Sequence, residues 1–319
     1  MKNLLFSLIF LIAFNSYGQK VEIGQWRDYL PYNNAISLAK MNGKIYVATE
    51  NSLFYLDPEE QILNRLSTIN GLSDVGVAAM AKNPLKNTLV VAYNSTKIDI
   101  IENNRIYSML DVERENIVGG KSINNITFNN NYAYLSCSFG IIELNTEKKE
   151  IANTFYLNTN GNLGVNDLCF KGDSIYAATD IGLFKASMND NLLDYNSWQH
   201  LIVDVSINSL EIAHQKIYFL GESLEDIYYY SSQNMYVAAT TENLKFLKAE
   251  SGRLFVGTQS NLIEIMPENT MNIIKESSYL YRASDVIIDG NTYWLSDGIR
   301  GLVRINENLT LKDYQPSGP

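Results

Sequence analysis

A strand–turn–strand pattern returns seven times along this chain, and few architectures can absorb it. Its clearest copy, Ser174–Phe184, reads Ser-Ile-Tyr-Ala-Ala-Thr-Asp-Ile-Gly-Leu-Phe. An aromatic is followed two residues later by a small residue, then Thr, a polar turn and a second apolar run. That is a hairpin with period-two alternation in its first strand. The same design stands at Lys44–Leu56 and Arg253–Ile265, with looser copies beginning at Leu89, Ala133, Ile217 and Tyr293. The anchor positions are Tyr46, Val90, Tyr134, Tyr176, Tyr218, Phe255 and Trp294, at intervals of 44, 44, 42, 42, 37 and 39 residues. Units of about 40–45 residues with four strands each are the sequence form of a propeller blade. The expected fold is all-β, a seven-bladed β-propeller of four-stranded antiparallel blades. A two-sheet sandwich has no reason to repeat at this period.

Side chains at i and i+2 of a strand share a face. Two residues after the anchors stand Ala48, Ala92, Ser136, Ala178, Leu220, Gly257 and Ser296, nearly all small, and the residues between are Val47, Val91, Leu135, Ala177, Phe219, Val256 and Leu295. Both faces of this strand are therefore dry, and a bulky ring beside a small residue lets a neighbouring sheet come close. Innermost strands are expected to place an apolar residue eight before the anchor, at Leu38, Ile126, Leu168, Leu210, Leu247 and Val286. An insertion, Asn83–Asn87, shifts this register in the second unit. The fifth unit is the least regular, with Gly221–Asp226 widening its turn.

Residues 1–18 read as a signal peptide: Lys2, an apolar run from Leu4 to Phe14, and Ser16-Tyr17-Gly18 as a small-x-small cleavage site. No other long apolar run exists, so no membrane span is expected after its removal. The propeller is expected over residues 19–315, and residues 316–319 read as the start of a linker to further domains. Glu22–Leu30 reads as a lone strand that could latch onto the last blade, while Leu309–Tyr314 can also serve as that blade's outer strand.

Lys plus Arg number 25 and Asp plus Glu 35, a net charge of −10, which argues against nucleic acid as a partner. Cys137 and Cys169 fall in different strands of successive units and read as buried free thiols, with a disulfide between them as the alternative that export allows. The two histidines, His200 and His214, have no acid and nucleophile beside them in a triad arrangement. No zinc spacing, calcium loop, Walker loop or dinucleotide fingerprint is present. No catalytic residue, cofactor or metal is expected, and the chain reads as a non-enzyme.

In a propeller, the turns joining second to third strands share a face with the links between blades. Here they are rich in Asn, Asp, Ser and Gly, which make turns and also form a polar surface. The candidate partner-binding face comprises Asn51, Ser52, Asn70, Ser73, Asp74, Asn94, Asp180, Asn261, Asp297 and Arg300.

Trp26-Arg27-Asp28-Tyr29-Leu30-Pro31-Tyr32, then Lys44–Thr49, then Asn70-Gly71-Leu72-Ser73-Asp74 resemble the amino-terminal propeller of the PorZ-type components of the type IX secretion system. The resemblance runs over about residues 20–319. It implies a non-enzymatic scaffold or adaptor, exported to the periplasm and outer-membrane cell surface. Its implied protein partners are a PorU-type sortase with PorV and PorQ, in an attachment complex that processes cargo and joins anionic lipopolysaccharide to it. In the family, lipopolysaccharide delivery is associated with carboxy-terminal domains absent from this chain. The individual repeats are also similar to the periplasmic sensor propellers of hybrid two-component regulators, which gives a ligand-sensing domain as the alternative reading.

Overall fold

Seven times the chain runs out, back, out and back through four consecutive antiparallel strands, and each run makes one sheet. The computed structural model describes residues 30–114, 120–221, 225–231, 234–241 and 243–317. The signal peptide and residues 22–29 of the expected lone strand lie outside the described residues, as do 318–319. The blades occupy residues 35–66, 77–109, 123–155, 165–203, 209–240, 246–276 and 285–314. First strands touch in succession around the ring, and the first strand of blade 7 touches that of blade 1. A one-turn helix, Asp111–Arg114, sits in the link after blade 2.

The core follows from period two. Tyr46 and Ala48 pack toward blade 2, whereas Ile45 and Val47, on the opposite face of the same strand, pack toward blade 7. Every blade does the same, so the buried apolar residues form seven clusters, one at each blade boundary. The apolar residues expected eight before the anchors lie opposite the residue after each anchor, as in Leu38 opposite Val47 and Leu210 opposite Phe219. In blade 2 the insertion moves this role to Met80, opposite Val91. In blade 5 the second and third strands pair over Ile217–Phe219 only, as its wide turn anticipates.

The small residue after each anchor has a specific opposite number. Ala178 lies across from Asp167 and Ser296 from Asp285, so the small side chain leaves room for a carboxylate on the innermost strand. Asp167 accepts hydrogen bonds from the N–H of its own neighbour Leu168 (2.7 Å) and from Leu210 in the next blade (2.7 Å). Asn125 of the preceding blade donates its amide to the same carboxylate. Asp285 repeats the device, taking the N–H of Val286 (2.8 Å) and of Leu38 in blade 1 (2.8 Å). In blade 6 the position carries Phe246, and Gly257 opposite it is glycine because a Cβ there would come within 1.9 Å of the phenyl ring.

The ring closes between blades 7 and 1 without strand exchange among the described residues. Leu311–Tyr314 is the outer strand of blade 7, the second of the two closures open to the sequence. Closure rests on Asp285, on Lys40 paired with Asp289, on Ser284 donating to the Ala35 carbonyl (3.0 Å) and on Gly301 donating to Asn33 (2.7 Å). Beneath these polar links Phe54, Leu56, Trp294, Leu302 and Tyr314 form one cluster. Cys137 and Cys169 are buried free thiols. No helix among the described residues is long and apolar enough to cross a membrane.

Candidate partner-binding face

The second strand of a blade ends at a tight turn, and the residue there settles how the turn is held. Thr49, Thr179, Thr258 and Asp297 occupy this position, and all are buried. The Thr179 hydroxyl donates to the Gly182 carbonyl (2.8 Å), and the Thr258 hydroxyl accepts the Asn261 N–H (3.1 Å). These are side-chain stand-ins for backbone pairing at a bend. The links then fold against the turns: Asp204 donates to the carbonyl of Ile181, Asn94 to that of Gly76, and Gly298 to that of Tyr281. Antiparallel order thus brings all these turns and links to one end of the ring.

Of the ten candidate residues, several serve the scaffold. Ser52 is buried, donating to the Pro31 carbonyl (2.9 Å) and bonding Thr49 (2.6 Å). Asn70 closes a capping box with Ser67 around a single 3₁₀ turn. The Ser73 N–H donates to Asp99 (2.8 Å), a buried carboxylate that also receives the Tyr93 and Ser108 hydroxyls. Asp297 has no exposed surface. It accepts the N–H groups of Tyr281 (2.7 Å), Ile299 (2.9 Å) and Arg300 (2.9 Å). Asn51, Asn94 and Asp180 are exposed, with Asp180 accepting from Asn166 (3.0 Å). Asn261 is half-buried, and its side-chain carbonyl is unpartnered. Asp74 is half-buried beside Lys97 at 3.1 Å. Burial raises the Asp74 pKa, but the nearby Ser95 hydroxyl and hydrogen bonds from the Val75 N–H and Lys97 outweigh it and hold the carboxyl below its usual range.

The face is less polar than its turn chemistry suggests. Ile69, Val75, Tyr156, Ile181, Tyr281 and Ile299 are all exposed on its turns and links. Sequence reasoning passed over them because it searched these segments for polar residues. One signal was available: Ser277-Ser278-Tyr279-Leu280-Tyr281-Arg282 puts two tyrosines and an arginine into a single link.

A second charged region lies between the first strands of blades 5 and 6. Lys248 lies 3.9 Å from Glu211, and their side chains remain 38 and 21 % exposed. Burial pushes the Glu211 carboxyl up to about 8, against the attraction of Lys248. Burial also pushes Asp167 up to about 6, although its hydrogen bonds oppose the shift. Asp285 and Glu211 hold the Lys248 proton more firmly than usual, against the opposing effect of burial. Among the described residues no group of three His, Cys, Asp or Glu is placed to hold a metal ion.

Residues 45–199 match the family model described as the TSS9 PorZ N-terminal beta-propeller domain. These residues run from the second strand of blade 1 into the outer strand of blade 4. No curated protein matches the chain. Among solved structures, one similar protein is PorZ of Porphyromonas gingivalis, described as an essential bacterial surface component of the type-IX secretion system. It is 20 % identical with a TM-score of 0.78, over 92 % of this chain and 39 % of that one. Another is the extracellular domain of a hybrid two component system of B. thetaiotaomicron, 14 % identical with a TM-score of 0.64, over 90 % of this chain and 39 % of that one. The chain thus spans about two-fifths of the length of these structures, and at such identities they show the fold alone. Residues 45–199 thus match the PorZ amino-terminal propeller, and the fold of the chain as a whole is similar to that of PorZ.

Proposed function

We propose that this propeller is a non-enzymatic scaffold of the type IX secretion system attachment complex at the outer-membrane surface. There it supports sortase-linked cargo processing and the delivery of anionic lipopolysaccharide to cargo. The observation that carries the reading is the PorZ family match across four consecutive blades. The way this chain uses its buried acids supports it: Asp99, Asp167, Asp285 and Asp297 all accept backbone N–H groups and hold blades and turns in place. Exported by its leader, the domain would offer protein partners a rigid end of turns and links, with lipopolysaccharide reached through further domains.

The test is retention from an outer-membrane extract on the immobilised mature chain. The PorU-type sortase and its attachment-complex companions are expected among the bound proteins. The alternative is a ligand-sensing propeller of a hybrid two-component regulator, which the B. thetaiotaomicron likeness favours. Retention of no attachment-complex protein, together with binding of a defined oligosaccharide, would replace the scaffold with the sensor.

A further inference from the structure

The link between blades 6 and 7 meets the 297–301 turn of blade 7 at one corner of the partner-binding face. Arg300 leaves that turn with its guanidinium 3.9 Å from the centre of the Tyr279 ring. Arg282 is held at a φ of 55°, a left-handed conformation uncommon outside glycine and asparagine. Three hydrogen bonds impose it. Arg282 N–H donates to Gln259 (3.3 Å), Gly298 N–H to Tyr281 (2.9 Å), and Tyr281 N–H to Asp297 (2.7 Å). The two segments are in close contact, since a Cβ on Gly298 would lie 3.3 Å from that of Arg282. Both arginines therefore stand on one rigid platform.

The nearby carboxylates are already engaged. Asp297 serves three backbone N–H groups and lies 3.9 Å from Arg300. Asp313 takes the Tyr279 hydroxyl. Among the described residues no carboxylate lies within ion-pair distance of Arg282. Beside the arginines, Ile299 is 47 % and Tyr281 36 % exposed. Arginine and tyrosine around an apolar centre are the composition of protein-binding hot spots.

We infer that this corner docks an acidic, extended segment of a protein partner, with carboxylates on Arg282 and Arg300 and an apolar side chain on Tyr281 and Ile299. The inference deepens the scaffold reading and rests on it. Charge complementarity fixes the location, because a chain of net charge −10 repels an anionic segment over most of its surface. The exposed aliphatic Ile299 favours a peptide over a saccharide.

The probe is a labelled peptide alternating Glu with Leu and Tyr, followed by fluorescence anisotropy on the purified mature chain. Binding is expected to weaken as salt rises. It should fall about tenfold or more when Gln replaces Glu in the peptide, or in Arg282→Gly. Glycine suits the φ at 282, so that variant keeps its fold while losing the guanidinium. Arg300→Gln is expected to weaken binding similarly. No binding of the peptide, equal binding of its Gln form, or unchanged binding by Arg282→Gly would overturn the inference. So would binding of polygalacturonate through these arginines without binding of the peptide. Should the chain carrying both Arg282→Gly and Arg300→Gln still retain the attachment-complex proteins, the scaffold stands and this corner is removed from it.

Discussion

Gly182 carries the strictest demand at the residue scale. Its φ is 144°, and an added Cβ would lie 1.8 Å from the carbonyl oxygen of Ile202. Gly172 also has a positive φ, 58°, but open space around it. Gly182→Ala should therefore lower stability by about 3 kcal/mol and Gly172→Ala by about 1 kcal/mol, read as urea midpoints at equal slope. Equal losses would contradict the hairpin geometry of blade 4. The pattern of aromatic, small residue and Thr was visible in the sequence because period two exposes it. The task of that Thr, which is to satisfy a carbonyl within its own turn, was not. Turn residues also look alike whether they face water or the interior. Ser52 and Asp297 therefore stood beside Asn51 and Asp180 as candidates, although the first pair is buried and the second exposed.

At the scale of the element, blades 4 and 7 each bind the next blade through one carboxylate as well as through apolar faces. Removing Asp285 strands the Leu38 N–H and breaks one of the links from blade 7 to blade 1. Asp285→Ala is expected to cost about 1–3 kcal/mol, and Asp167→Ala a similar amount between blades 4 and 5. The exposed Asp180→Ala should stay within about 0.5 kcal/mol. Thermal unfolding of the three variants checks the order, and an indifferent Asp285→Ala would show that closure does not rest on this carboxylate. Blade number, strand order and register were readable from spacing, because strands repeat locally. The carboxylate links were not, because they join residues about one blade apart, or in Asp285 nearly a whole chain apart. A lone Asp in a strand gives no sign of such a partner.

For the whole molecule, the acids of the innermost strands set a pH dependence. Asp167, pushed to about 6, and Glu211, pushed to about 8, both hold their protons more tightly when folded. Their contribution is therefore fully present below the unfolded carboxyl values and is lost as pH rises through about 6 and then about 8. Asp74, whose pKa is lowered, acts with the opposite sign but only in more acidic solution. Denaturation midpoints should thus be higher near about pH 5 than near about pH 8.5, and Asp167→Asn combined with Glu211→Gln should flatten the profile. A midpoint that climbs over this interval would refute the assignment. Closure of the ring has a consequence in time as well. Six of the seven boundaries join adjacent blades, so they can form while the chain is still being delivered. The seventh joins residues separated by about 250 positions, such as Leu38 and Asp285, and its loop entropy is the largest in the molecule. Closure is therefore expected to be the slow final event of folding, with the buried indole of Trp294 as its fluorescent reporter. Until it occurs, the flank of blade 1 bearing Phe54 and Leu56 is uncovered, so a chain emerging amino terminus first carries a sticky surface until its last blade arrives.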